Sequence, residues 1–186
     1  MRTTAAIVAI VALLGLAGTL VLPHGTSDRA AAVDAREIWS EVSWPFPMDQ
    51  WGKGKAFVCT AAECGSEVTI YLRAKIGFCN CSTGVADDEE LDRISDFDLL
   101  GNQLTAQGPG RAVTIAWMKG RSRAFTIWGT PRVGKSALSV GFNDRCDAII
   151  ASAVTGLEYP AAIEAAVIDF LNSRTVLRWA EITLGL

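Results

Sequence analysis

The chain has 186 residues, a net charge of −3 and a single histidine, and half of it is hydrophobic. A mildly acidic chain of this size is poorly suited to gripping a phosphate backbone, so nucleic acid is excluded as a partner. It is long enough to bury one core, which fits one domain rather than several.

The hydrophobicity is partly local. Arg2 precedes an uncharged, nearly continuous apolar run from Ala5 to Leu22, closed by Pro23, His24 and Gly25. Ala30-Ala31-Ala32 then supplies the small-x-small pattern a signal peptidase reads. The run falls where signal h-regions of about 7–15 residues meet membrane spans of about 17–25. Residues 1–32 are therefore expected to be a signal peptide cut after Ala32 or a retained N-terminal membrane anchor. In both cases residues 33–186 form the exported domain, because the positive end stays inside. That places it in the periplasm or secreted, or held at the inner membrane by residues 5–22. Loss of Arg2, Arg29 and Asp28 takes 17 basic and 20 acidic residues to 15 and 19, a net charge of −4. It also removes His24, so residues 33–186 hold no imidazole for Ser-His, Cys-His or His-metal chemistry.

Val33 to Ser43 reads as a short helix, with Ile38, Trp39 and Val42 on one side. Pro45 and Pro47 end it. The aromatic loop from Trp44 through Trp51 is expected to pack under a neighbouring sheet. Lys55 to Cys59 reads as a strand. From Glu67 to Phe78, Val68, Ile70, Leu72, Ala74, Ile76 and Phe78 alternate with Thr69, Tyr71, Arg73, Lys75 and Gly77. Period two with one polar side predicts an antiparallel strand with a solvated face.

Asp87 to Ile94 is expected to be helical, capped by Asp87, with Glu90 at capping-box spacing. The run Asp87-Asp88-Glu89-Glu90 is read as helix-start chemistry rather than a calcium site, because its spacing is not that of an EF-hand loop. Asn102 to Arg111 reads as a Gly/Gln/Pro loop. Val113, Ile115 and Trp117 alternate, and Lys119-Gly120 reads as a hairpin turn into a strand from Arg123 to Trp128. The basic residues around it, Lys119, Arg121, Arg123, Arg132 and Lys135, suit a charged, protected sheet edge. Leu138, Val140 and Phe142 mark a further strand, and Ala148 to Val154 its return. Pro160 suits the first turn of a helix running to Leu171. Val176 to Leu184 is expected to be a final strand.

Gly129-Thr130-Pro131-Arg132-Val133-Gly134-Lys135-Ser136 fits the phosphate-loop pattern letter for letter. That motif needs a helix starting at its lysine. The residues after Lys135 alternate as a strand instead, so Gly129, Gly134, Lys135 and Ser136 are rejected as a cofactor site. No cofactor is expected.

Cys59, Cys64, Cys79, Cys81 and Cys146 lie in the exported part and read first as a disulfide framework, with one left over. A Cys59–Cys64 bridge closes a turn, and Cys146 pairs with Cys79 or Cys81. The rival is a zinc site of Cys59, Cys64, Cys79 and Cys81. An extended Glu67–Phe78 strand, roughly 40 Å long at about 3.3 Å per residue, would hold Cys64 and Cys79 too far apart for it. A third reading makes Cys79-Asn80-Cys81 a redox pair.

The stretches Trp44-Pro45-Phe46-Pro47-Met48-Asp49-Gln50-Trp51-Gly52 and Gly77-Phe78-Cys79-Asn80-Cys81 resemble those of exported bacterial proteins with no activity attached to them. The resemblance implies a bacterial envelope location and nothing catalytic.

The expected fold is α+β: an antiparallel sheet of about five to seven strands with helices on one face or at its ends, in a single small domain. The expected function is non-enzymatic binding of an envelope protein or small ligand, with membrane contact only through the N-terminal segment. One alternative is a cysteine-dependent metal-binding or thiol-redox protein. A carboxylate-based hydrolase is another, and it would need two acids about 5–9.5 Å apart.

Overall fold

Eight antiparallel strands form one sheet. The computed structural model describes residues 38–101, 103–128, 134–156 and 161–186. These belong to one compact unit, Ala32–Leu186. The apolar run from Ala5 to Leu22 and the Ala30–Ala32 pattern lie outside the described residues. Among the described residues no helix is long and apolar enough to cross a membrane.

The strands are β1 (Ser40–Val42), β2 (Lys55–Cys59), β3 (Val68–Lys75), β4 (Gln103–Ala106), β5 (Arg111–Ile115), β6 (Met118–Trp128), β7 (Gly134–Asp144) and β8 (Asp147–Thr155). Their order across the sheet is β1-β2-β3-β8-β7-β6-β4, with β5 beside β4 on the same edge of β6. The helices among the described residues are α1 (Ala61–Cys64), α2 (Asp88–Ile94), α3 (Phe97–Leu100), α4 (Ala161–Leu171) and α5 (Arg174–Leu184). The fold is thus α+β, mainly antiparallel with flanking helices, and its eight strands exceed the five to seven expected.

One face of the sheet carries the main core. Phe57, Ile70, Leu72, Leu138, Val140 and Phe142 meet Ile163, Val167, Phe170, Val176 and Ala180 of α4 and α5. Phe170 anchors this layer, stacking on Trp39 at 4.8 Å and meeting Phe57 edge-on at 4.9 Å. The opposite face carries a smaller core, in which Leu91 and Ile94 of α2 join Val85, Cys79, Ala148 and Ile150. Helices therefore cover both faces, not one face or the ends. β8 shows why. Ile149 and Ala151 point into the first core, and Ala148 and Ile150 into the second. A strand buried on both sides loses its polar alternation.

Gly141 sets how closely α2 approaches. A Cβ there would stand 2.9 Å from Leu91 Cδ1 and 3.0 Å from Val85 Cγ1. Gly141→Val is expected to lower unfolding free energy by about 1–3 kcal/mol through overpacking, as read by urea denaturation.

Several elements depart from expectation. Ser40–Val42 is an edge strand paired to β2 rather than the end of a helix. Its pairing runs from Ser40 opposite Val58 to Val42 opposite Ala56, so β2 holds it extended. Gln103–Ala106 is a strand inside the expected loop, held by β6. The hairpin turn falls at Ala116-Trp117, between Ile115 and its partner Met118, not at Lys119-Gly120. Ala116 takes a φ of 51° there, and its N–H donates to Asn172 Oδ1 at 2.8 Å. Lys119 and Gly120 are already inside β6, opposite Asn143 and Phe142.

The largest departure is α5, expected as a strand. Ser173 caps it, its side chain accepting the Val176 N–H, and Gly185 ends it at a φ of 71°. Val176, Ala180 and Leu184, four residues apart, form its buried stripe.

Candidate functional site

The two sequence stretches singled out, Trp44–Gly52 and Gly77–Cys81, come together on the face of β3 expected to be solvated. That face is not wet. Arg73 and Lys75 are 4% and 5% exposed. Asp96, at the N-terminus of α3, is 7% exposed and lies between them. Arg73 Nε donates to Asp96 Oδ2 at 3.0 Å, its Nη2 donates to Asp96 Oδ1, and Lys75 Nζ is 2.9 Å from Asp96 Oδ1. Arg73 Nη1 donates to Asp49 Oδ2 of the Trp-Pro loop at 2.6 Å.

Aromatic rings roof these cations. Arg73 lies 5.9 Å from the Trp44 ring centroid, and Lys75 lies 5.5 Å from Trp51 and 5.6 Å from Phe78. Trp51 and Phe78, one from each stretch, are 4.7 Å apart. Trp44 and Phe46 meet Tyr71 edge-on. Gly54 admits this arrangement: a Cβ there would come within 2.6 Å of Trp44 and closer still to the Leu72 carbonyl.

Chemically the cluster is closed, with two cations answered by two carboxylates. Burial works to lower the Arg73 pKa, but the hydrogen bonds and charges of Asp96 and Asp49 outweigh it and raise it. Burial works to raise the Asp49 pKa, yet the Trp51 N–H and the Arg73 guanidinium hold it below the ordinary range. Neither cation is left to recruit an anion. The cluster fastens the Trp-Pro loop and α3 to the sheet.

The acidic run at α2 is likewise spent on structure. Asp87 Oδ1 accepts the Glu90 N–H at 2.8 Å. The Glu90 carboxylate does not close a reciprocal box; it accepts from the Asn80 N–H at 2.8 Å and from Arg93. Asp88 accepts from Arg121 and from the Gly110 N–H, in that order of influence, and both hold its pKa low. Asp92, one turn on, is pushed up by burial and pairs with Arg123 at 2.7 Å. Arg121 and Arg123, expected at a solvated edge, bolt α2 to β6.

The cysteines resolve into two bridges, Cys59–Cys64 around α1 and Cys81–Cys146 across 65 residues. Cys79 is free and buried. The four sulfurs of the zinc alternative are therefore distributed over two bridges and one thiol. The redox alternative loses its dithiol, because Cys81 is bonded to Cys146. Cys79 Sγ donates to the Arg145 carbonyl at 3.3 Å, and burial, then the Glu90 charge, push its pKa up to about 11. A thiolate is the reactive form. The folded protein is expected to leave Cys79 unlabelled by Ellman's reagent at pH 8 and to release one thiol in guanidinium. Labelling should rise only as pH nears 11, and prompt native-state labelling at pH 8 would contradict this environment.

Of the rejected phosphate-loop residues, Gly129 lies outside the described residues, while Gly134, Lys135 and Ser136 open strand β7 and begin no helix.

A site the sequence did not advertise lies at the β1 edge, on the other face. A groove of about 440 Å³ runs between α5 and β1–β3. Trp179 and Ile182 give it apolar surface over a floor of the buried Phe57, Leu72 and Val176; Glu41, Lys55, Arg174 and Arg178 stand around it. Ile182 is 72% exposed, although it is a large aliphatic side chain. Lys55 and Glu41 neutralise each other at 2.5 Å. Arg174 and Arg178, one turn apart, form no salt bridge among the described residues. Helix periodicity over 174–182 would have found this face; the strand assignment hid it. The chain matches no protein-family model and no curated protein.

Proposed function

We propose that this chain is a non-enzymatic binding domain of the bacterial envelope, exported by its N-terminal segment and holding a small ligand in the groove between α5 and β1–β3. The groove carries the reading. Its volume lies within the roughly 300–1,000 Å³ of small-molecule sites, and such sites pair an apolar bed with a few polar groups. Two disulfides support an oxidising compartment. The residues that suggested chemistry support binding rather than catalysis. The carboxylates that share an arginine, Asp49 with Asp96 on Arg73 and Asp88 with Asp92 on Arg123, are engaged in holding the fold together.

The test is a titration of dodecan-1-ol, a neutral amphiphile, into the isotopically labelled residue 33–186 domain with its disulfides intact. Saturable amide shifts at Leu72, Val176, Trp179 and Ile182 are expected, and Ile182→Lys should weaken binding about tenfold through loss of apolar contact. Shifts that are scattered over the domain, or that never saturate, count against a ligand groove.

A further inference from the structure

Resting on the groove assignment above, we infer that its ligand is an amphiphile with an anionic head, the tail lying on Trp179 and Ile182 and the head held by Arg174 and Arg178.

Three observations fix the sign of the head. First, the rim is unbalanced. Lys55 and Glu41 cancel, whereas Arg174 and Arg178 are exposed and have no carboxylate partner among the described residues. The other arginines among the described residues are paired: Arg73, Arg93, Arg111, Arg121, Arg123 and Arg145 all meet acids. On a protein of net charge −3, two adjacent unanswered guanidiniums are a local exception. The one acid on the helix, Glu181, forms no salt bridge with either, although it lines a neighbouring depression together with Arg174 and Arg178.

Second, the arginines stand one turn apart at the start of α5, and Arg174, Thr175 and Val176 of its first turn line the groove. The helix dipole puts partial positive charge at that end, so it adds to the two guanidiniums. Planar guanidiniums bind carboxylate or phosphate oxygens through paired N–H donors.

Third, the apolar bed continues directly from this cationic end. Trp179 follows Arg178, and Ile182 lies one turn beyond it on the same helix. The order along the groove is cationic end, aromatic ring, aliphatic side chain. A neutral oil would leave the arginines unused, and an inorganic anion would leave Trp179 and Ile182 uncovered. A single-chain amphiphile with a phosphate or carboxylate head satisfies both.

The experiment compares dodecyl phosphate, below its micelle concentration, with dodecan-1-ol and inorganic phosphate on the same labelled domain. Dodecyl phosphate is expected to bind at least tenfold tighter than dodecan-1-ol, since a charge-assisted hydrogen bond contributes enough for roughly that factor. Inorganic phosphate should bind far more weakly than either. The double variant Arg174→Gln/Arg178→Gln should reduce dodecyl phosphate to the affinity of dodecan-1-ol while leaving the alcohol unaffected. Raising salt from 50 to 500 mM should narrow the same gap, because the rim is exposed.

If the alcohol and the phosphate ester bind equally well, the groove stands and the anionic head is overturned. If neither shifts the groove amides, both readings fall. Tight dodecyl phosphate binding that the double variant leaves unchanged places the head elsewhere and overturns the assignment to Arg174 and Arg178. Circular dichroism of the double variant should match the parent, as both side chains are exposed and unbonded. Should it not fold, Arg178→Gln alone carries the comparison, with a loss of about threefold or more expected.

Discussion

Replacing Cys81 and Cys146 together by serine is expected to lower the unfolding free energy by about 4 kcal/mol, against about 2 kcal/mol for the matching Cys59/Cys64 replacement. The difference comes from loop length. The first bridge closes 65 residues and the second only 5, and the longer loop gives up more entropy in the unfolded chain. The native state argues in the same direction. Cys146 lies in the turn between β7 and β8, and Cys81 in the segment between β3 and α2. Among that segment's other ties are the Cys79 N–H to the Cys146 carbonyl at 3.1 Å and the Val85 N–H to Asn143 Oδ1 at 2.9 Å. Losing the bridge loosens the smaller core on that face as well. The double replacement is the right variant, because Cys81→Ser alone leaves Cys79 two residues away to re-pair with Cys146. Urea denaturation of both double variants measures the ratio. Equal losses would show that loop closure is not what the long bridge contributes.

Much of the sheet was legible because strands that alternate do so visibly. β2, β3 and β7 follow from the spacing of Phe57, Ile70, Leu72, Val140 and Phe142, and β8 was legible as the return of β7. What failed was reading polarity as exposure. Thr69, Tyr71, Arg73 and Lys75 do occupy one face of β3, but alternation reports which side a residue is on and not what covers that side. The cover comes from Asp49 and Asp96, 24 and 23 residues away from Arg73, and local spacing carries no record of that. α5 failed for a different reason. Thr175, Val176, Ile182 and Thr183 are β-branched and suggest a strand. Ser173 before them and Gly185 after them were the better signals, since they mark the two ends of a helix. The same mistake concealed the candidate site. As a helix, Arg174, Arg178 and Ile182 share a side; their partners Phe57 and Leu72 arrive from strands over a hundred positions earlier. β4 and the Ala116 turn were illegible on their own terms. Four residues are too few to show a period, and alanine does not announce a positive φ.

Asp96→Ala is expected to cost about 3–5 kcal/mol, because it strands two buried cations. Asp96 answers both Arg73 and Lys75, and after its removal only Asp49 remains, at the exposed end of the guanidinium. Asp49→Ala should be milder, about 1 kcal/mol or less, since that carboxylate is 40% exposed and water can take its place. Asp96→Asn should fall between them, keeping acceptor geometry while losing the charge. A triple replacement, Arg73→Met, Lys75→Met and Asp96→Leu, removes the charges together and should recover most of the loss, as buried ion clusters can often be exchanged for apolar packing of similar volume. Near-ultraviolet circular dichroism supplies an independent readout. Trp44 and Trp51 lie over the two cations, so Asp96→Ala should change the tryptophan bands even where the protein stays folded. The decisive comparison is between the single and triple variants. If the triple variant is less stable than Asp96→Ala, the cluster is a net source of stability and not merely a matched set of charges that must be kept or removed together.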